Sequence, residues 1–272
     1  MAIGVRLMGG IGNQMFQYAA ARSLAARHGT GVAVDLSWFV EQSPSGDTQR
    51  AYALDVFVGP AAASKTEIPT GRWFREQGFG FDASVLRLPD HSTLIGYFQS
   101  ERYFLEHARV IEREFSFLAE PDRDNRSILE LIGSSESVAV HVRRGDYASN
   151  PTTKAHHGLL PLDYYHRAVD DLTARVSDPR FFVFSDDPMW CRRGLSFLRG
   201  GVVVDHNREE SGADDLRLMA ACRHHILANS TFSWWGAWLA ARPGQIVVAP
   251  RRWFAGSGLD TAQLCPSRWL LR

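Results

Sequence analysis

The sequence predicts an α/β protein built on parallel sheets and divided into two halves. Three observations predict it. Short apolar runs of strand length alternate with longer segments of helical periodicity. Glycines and prolines punctuate the joins. Polar motifs directly follow the predicted strands, where open α/β sheets bind their ligands.

In chain order, residues 3–7 read as a buried strand followed by a glycine loop. Residues 14–27 read as an alanine-rich helix with Met15, Tyr18, Ala19 and Leu24 on one face, ended by Gly29 and Gly31. A second strand at 32–35 completes a βαβ-type opening. Pro44, Gly46, Pro60, Pro69 and Gly71 break 36–95 into loops and short elements. A strand at 94–98, a helix at 101–117, a break at 121–124 and a short helix at 126–132 follow. The second half is cleaner. Strands are predicted at 138–142, 181–185, 202–205, 225–228 and 246–249, and helices at 163–176, 214–222 and 230–241. This alternation implies right-handed crossovers within a parallel sheet. There is no internal repeat. The boundary falls near 118–136, giving units 1–125 and 126–272 that face across a cleft, with the final segment expected to pack back on the first half.

Composition narrows the function. The chain has 272 residues and zero formal net charge, from 30 basic and 30 acidic side chains, which leaves no general electrostatic case for nucleic acid as partner. Only Lys65 and Lys154 are lysines, so the basic set is almost wholly arginine, the residue suited to bidentate phosphate binding. Cys191, Cys222 and Cys265 form no C-x-x-C pair, which argues against a zinc site or disulfide framework and for a reducing compartment. The opening MAIGVRLMGG lacks the regions of a signal peptide. No stretch reaches the about 18 apolar residues of a membrane span. The expected location is cytoplasmic, with peripheral association at the inner membrane left open.

Four motifs carry chemistry. The first is Gly9-Gly10-Ile11-Gly12-Asn13-Gln14 between a strand and a helix. Its glycines allow close backbone approach, and the helix start offers N–H donors to an anion. Gly10, Gly12 and Asp35 partly fit a dinucleotide site, but the third glycine position is Met15. Asn13 and Gln14 stand at the loop apex, in reach of substrate. The second is His141-Val142-Arg143-Arg144-Gly145-Asp146-Tyr147, an anion site at a strand end where Arg143 or Arg144 can grip a phosphate bidentately. A persisting strand would put Arg143 on the face of His141 and Arg144 on the opposite one. A plain ion pair between Arg144 and Asp146 is the alternative.

The third motif is Phe184-Ser185-Asp186-Asp187. Its carboxylates could bind a divalent metal or hydrogen-bond a ribose or base edge, their adjacent spacing arguing against a D-x-D metal motif, and one of them, before Pro188, suits an N-cap. The fourth is Asn229 to Gly236, where Ser230, Thr231 and Ser233 open a helix. Their hydroxyls can cap it or contact phosphate, and its free N–H groups favour an anion. Trp234, Trp235 and Trp238 read as core packing rather than a sugar platform. The adjacent pairs His156-His157 and His224-His225 do not converge on a metal.

These motifs, in this order, resemble the α-1,2-fucosyltransferase family. The text carrying the resemblance is GGIGNQMFQYA at 9–19, HVRRGDY at 141–147, FVFSDD at 182–187 and NSTFSWWGAWL at 229–239, with Pro250, Trp253 and Phe254 near the end. The resemblance spans nearly the whole chain. It implies a GT-B type fold, two Rossmann-like domains facing across a cleft. It implies metal-independent, inverting transfer of L-fucose from GDP-β-L-fucose to the 2-hydroxyl of a terminal galactose on an oligosaccharide or glycolipid, with no cofactor.

By resemblance Arg143 serves the donor pyrophosphate, with His141 and Asp146 shaping the site. Asp186 and Asp187 contact guanine or ribose, and Ser230 and Thr231 contact phosphate. Arg144, Gly10 and Gly12 complete the expected donor contacts. Asp146 is the first candidate for general base, and Asn13 positions the acceptor. Residues 36–90 are where acceptor preference is expected to be set. An NAD-dependent oxidoreductase using Gly10, Gly12 and Asp35, and a non-catalytic sugar-binding protein, are the alternatives.

Overall fold

The structure, a computed structural model, describes residues 1–41, 50–65, 68, 71–145, 150, 155, 157–207, 212–256 and 261–272. Its contacts divide the chain into two compact units. One holds Met1–Ala119 and Leu259–Pro266, the other Glu120–Gly258 and Ser267–Arg272.

The first unit is built on a parallel sheet of β1 (Ala2–Arg6), β2 (Gly31–Asp35), β3 (Trp73–Arg75) and β4 (Thr93–Ile95), in the order β2-β1-β4-β3. Helix α1 (Ile11–His28) links β1 to β2 and ends at Gly29, whose φ of 65° lets its N–H close on the Ala25 and Ala26 carbonyls. A single apolar face was expected for α1. Instead Met15 to Ala21 are all buried, because alanines at 19–21 let neighbours close in on every side. Short helices α2 (Ser37–Glu41) and α3 (Val58–Ala62) follow.

The helix expected at 101–117 is broken. Two 3-10 turns, Glu101–Tyr103 and Leu105–His107, precede α4 (Ala108–Glu114). Tyr103 and Phe104 are both buried, each against a different partner. Phe104 leaves helical geometry (φ −135°, ψ 3°) to pack 6.2 Å from the Phe16 ring. Glu114 of α4 ties back to α1, accepting from Tyr18 Oη at 2.7 Å and Arg22 Nε at 2.6 Å.

The second unit is a six-stranded parallel sheet. Its strands are β5 (Glu136–Val142), β6 (Pro179–Ser185), β7 (Val202–Val204), β8 (His224–Ile226), β9 (Val247–Ala249) and β10 (Leu270–Leu271), in the order β10-β9-β8-β5-β6-β7. Alternation along β5 and β6 feeds two cores. Val138, Val140, Val142, Phe181 and Val183 share one with α6 (Leu162–Thr173) and α7 (Pro188–Gly194). Ala139, Phe182 and Phe184 share the other with α5 (Arg123–Gly133) and α8 (Gly212–Ala221). Helix α9 (Thr231–Leu239) buries Trp234, Trp235 and Trp238, as their core reading requires. Strand order reverses between β5 and β8: the chain builds outward from β5 through β6 and β7, then returns to the other side. That reversal is where open sheets leave a crevice.

Candidate active site

Strand β5 ends at Val142, so strand alternation does not govern the arginines. Both turn toward the end of β6 instead. Arg143 Nη1 lies 2.9 Å from Asp186 Oδ2. Asp186 Oδ1 accepts the Arg144 backbone N–H at 2.8 Å. Arg144 Nε lies 3.3 Å from Asp187 Oδ2, and its guanidinium sits 4.3 Å from the Trp190 ring centroid. Among the described residues Arg144 is thus ion-paired with Asp187, and its expected alternative partner, Asp146, lies outside them. Asp187 Oδ1 also caps α7, accepting from Trp190 N at 3.0 Å, while Asp187 N donates to Ser185 Oγ at 2.9 Å. Gly145 lies under this network: a Cβ there would stand 2.7 Å from Asp186 Oδ2.

His141, two residues before Arg143, is buried. Burial, with the Arg143 charge beside it, pushes its pKa down to about 3, so the ring is neutral. Its Nδ1 has no hydrogen-bond partner among the described residues, and its ring centroid is 5.5 Å from that of Phe232 in the first turn of α9. The ends of β5 and α9 thus meet at the order reversal. Ser230 caps α9, its Oγ accepting from Phe232 N at 3.3 Å, and Thr231 is the first helical residue. Asn229 donates to the His157 and Trp253 carbonyls at 2.9 and 3.2 Å, fixing the chain that enters the helix.

The glycine loop belongs to the first unit. Gly9 takes φ 75°, and Gly10 caps α1 through its carbonyl, which accepts from Asn13 N and Gln14 N at 2.9 and 3.1 Å. Gly12 is buried in the first helical turn. Gln14 is not at an apex in reach of substrate but fully buried. Its amide donates to the Gly9 and Ala51 carbonyls at 2.8 and 2.9 Å and accepts from Ala53 N at 2.9 Å. The sequence could not show that a polar side chain after a glycine loop would be consumed by a chain segment some forty residues on. Asn13 accepts from Gln99 Nε2 at 3.0 Å. Asp35, the acid that a dinucleotide site would use, is tied to Arg6 Nε at 2.8 Å and to Ser37 N at 2.9 Å.

The second unit thus brings together Arg143, Arg144, Asp186 and Asp187, and sets His141 against the α9 start that carries Ser230 and Thr231. Asn13, Gly10 and Gly12 lie in the other unit. Asp146 and His156 lie outside the described residues. Asp122 and Asp124 stand at D-x-D spacing, and Asp122 is spent as the α5 cap, accepting from Asn125 N at 2.8 Å. Among the described residues no cluster of three His, Cys, Asp or Glu side chains could hold a metal ion, and no helix is long and apolar enough to cross a membrane.

Each unit is thus built on a parallel α/β sheet, and the second carries an arginine–aspartate network at its strand-order reversal. A crystal structure of fucosyltransferase NodZ from Bradyrhizobium shares the fold. It superposes with a TM-score of 0.50 at 16% identity, over 87% of this chain and 92% of that one. The fold is that of the GT-B glycosyltransferases. The chain belongs to glycosyl transferase family 11, whose model matches residues 79–264. It is 31% identical to an alpha-1,2-colitosyltransferase of Escherichia coli over 97% of each chain. It is 30% identical to galactoside alpha-(1,2)-fucosyltransferase 2 of Bos taurus, over 87% of this chain and 68% of that one. Membership in this family displaces the oxidoreductase and the non-catalytic binding readings.

Proposed function

We propose that the protein transfers L-fucose from GDP-β-L-fucose, with inversion and without a metal, to the 2-hydroxyl of a terminal galactose. One observation supports this above the others. The Arg143–Asp186 pair and the start of α9 stand at the ends of β5, β6 and β8, around the reversal of strand order. Breaking the fucosyl–phosphate bond leaves added negative charge on GDP. A fixed guanidinium and the N–H groups of a helix start are suited to stabilise that charge without reorganising.

In this reading Arg143 serves the pyrophosphate and Ser230 and Thr231 present the helix start to it. Asp186 orients Arg143, and Asp187 orients Arg144, leaving their outer edges for the nucleoside. Neutral His141 shapes the pocket and does not act as base, since a group with so low a pKa is nearly powerless to take a hydroxyl proton near neutrality. Asp146 is the proposed base and Asn13 an acceptor-side contact. Peripheral membrane association follows only if the acceptor is lipid-linked.

A second reading has its own support, the 31% identity to the colitosyltransferase over nearly the full chain: the transferred sugar is colitose. The test is incubation with GDP-fucose and galactose-ended sugars in the presence of EDTA, followed by linkage analysis. An α-1,2-fucosylated product supports the proposal. No transfer, or transfer only when a divalent metal is restored, refutes it. Transfer only from a colitosyl donor selects the second reading.

A further inference from the structure

The first sheet also reverses its order. The chain runs from β1 to β2 on one side, then fills β4 and β3 on the other. The loop that leaves β1 into α1 and the turn that leaves β4 flank this second reversal, and the first turn of α1 is joined to the β4 turn there by Gln99 Nε2 donating to Asn13 Oδ1 at 3.0 Å. Gln99 is only 5% exposed, and its Oε1 is buried with no hydrogen-bond partner among the described residues. A buried acceptor without a donor is costly and is normally satisfied.

The turn that carries Gln99 is held under strain. Phe98 is fully buried at φ 51°, a conformation that bulky residues avoid. Two devices hold it there. The Glu76 carboxylate, from the end of β3, accepts Tyr97 N at 2.6 Å and Phe98 N at 3.0 Å. The Phe98 ring packs edge-on against Tyr103 at 5.4 Å. Gly96 admits the carboxylate, since a Cβ there would come within 2.4 Å of Glu76 Cβ. Strained backbone that its surroundings over-determine concentrates at ligand clamps. The turn also sets the half-buried Tyr97 ring nearly parallel to Phe79, at 6° and 6.2 Å between centroids.

Flat aromatic rings beside a fixed amide pair suit an uncharged, hydroxyl-rich ligand: the rings take an apolar C–H face and the amide oxygen takes a hydroxyl proton. We propose that the turn after β4, with the loop after β1, is the acceptor-sugar subsite. Tyr97 and Phe79 take the face of the sugar, and Gln99, positioned by Asn13, takes one of its hydroxyls. This rests on the transferase reading above and assigns the acceptor end of it.

The test uses the full chain with GDP-fucose as donor and lactose as acceptor. Tyr97→Ala and Gln99→Ala are each expected to raise the lactose KM about tenfold. The GDP-fucose KM, and GDP affinity by calorimetry, should stay within a factor of about two. Tyr97→Phe, which keeps the ring, should restore the lactose KM. An unchanged lactose KM, or a donor KM rising in step with it, overturns the subsite. Saturation-transfer NMR with lactose and no donor separates this from the reaction itself. Transfer to lactose in the wild type that is lost in Tyr97→Ala supports the subsite even if fucose is the wrong donor sugar. Absence of transfer in the wild type overturns it.

Discussion

Arg143 and Asp186 meet across the ends of two neighbouring strands, Nη1 to Oδ2 at 2.9 Å, while the second oxygen of the same carboxylate takes the Arg144 backbone N–H at 2.8 Å. One carboxylate therefore sets both the direction of a guanidinium and the path of the chain that carries it. Replacing Arg143 by Ala should lower kcat about 10²–10³-fold, the usual cost of one preorganised donor. Arg143→Lys should recover little, because an ammonium lacks the planar fork. Asp186→Asn keeps an acceptor for Arg144 N–H but loses the charge, and should cost less than Arg143→Ala. Initial rates at saturating donor measure all three, and near wild-type turnover in Arg143→Ala with the fold intact would end the assignment.

Gly145 gives a subtler handle on the same pair. An alanine Cβ would press on Asp186 Oδ2 at 2.7 Å and displace a carboxylate held on both oxygens. Gly145→Ala is expected to lower kcat/KM for the donor about tenfold while leaving the urea midpoint where it was. A wild-type donor kcat/KM would show that the pair tolerates displacement.

Gln14 is predicted to be structural. Its three part-buried bonds staple the glycine loop to Ala51 and Ala53, and Gln14→Ala removes all three and empties a fully buried side-chain position. Stability should fall by about 2–3 kcal/mol, as read by urea denaturation, with the donor KM of the folded fraction unchanged. A specific rise in donor KM without loss of stability would return Gln14 to the list of substrate contacts.

Acid should destabilise the protein from pH about 6.5 downward. Burial, aided by the Arg143 charge at His141, pushes His141 and His225 down to about 3. The unfolded chain, with ordinary histidines, binds the extra protons between about 3 and about 6.5. Stability contributed by the neutral rings is thus present above that window and lost as pH falls through it. Asp215 acts oppositely: burial raises it to about 6, so the native state holds a proton there that the unfolded chain releases. His224, also lowered chiefly by burial, adds to the loss, and Glu76, raised by burial, opposes it; the three histidines outweigh the two acids, so stability falls with pH between roughly 4 and 6. Urea midpoints at successive pH values measure the slope. His225→Gln should flatten it, and a midpoint constant from pH 6.5 to 4 would contradict the assignment.

The second sheet was readable in the sequence because its central strands are buried on both faces, so Val138 to Val142, broken only by His141, and Phe181 to Phe184 stand out as apolar runs. Strand β3 was not: Trp73 and Arg75 are exposed at a sheet edge, and three residues with one half-buried position make no period. β10 is two residues long and exists because Leu270 and Leu271 pair with Val248 and Ala249. The Arg143 and Asp186 motifs were visible as polar clusters at strand ends, but their partnership was not, since it depends on β5 and β6 being neighbours. Gln99 and Glu76 went unnoticed for a related reason. Each is an ordinary polar residue until the strand order places it beside a loop distant in sequence.

Gln17 gives the glycine loop a property of its own. Its side chain accepts the Met8 N–H at 2.9 Å and donates to the Met8 carbonyl at 3.3 Å, so an amide stands in for a neighbouring strand two residues beyond the end of β1. The Met8 amide should then resist hydrogen exchange as the strand does. With Gly9 and Gly10 also engaged through their carbonyls, the loop has no slack hinge. It is a finished surface, and what lands on it is met by docking rather than by ordering.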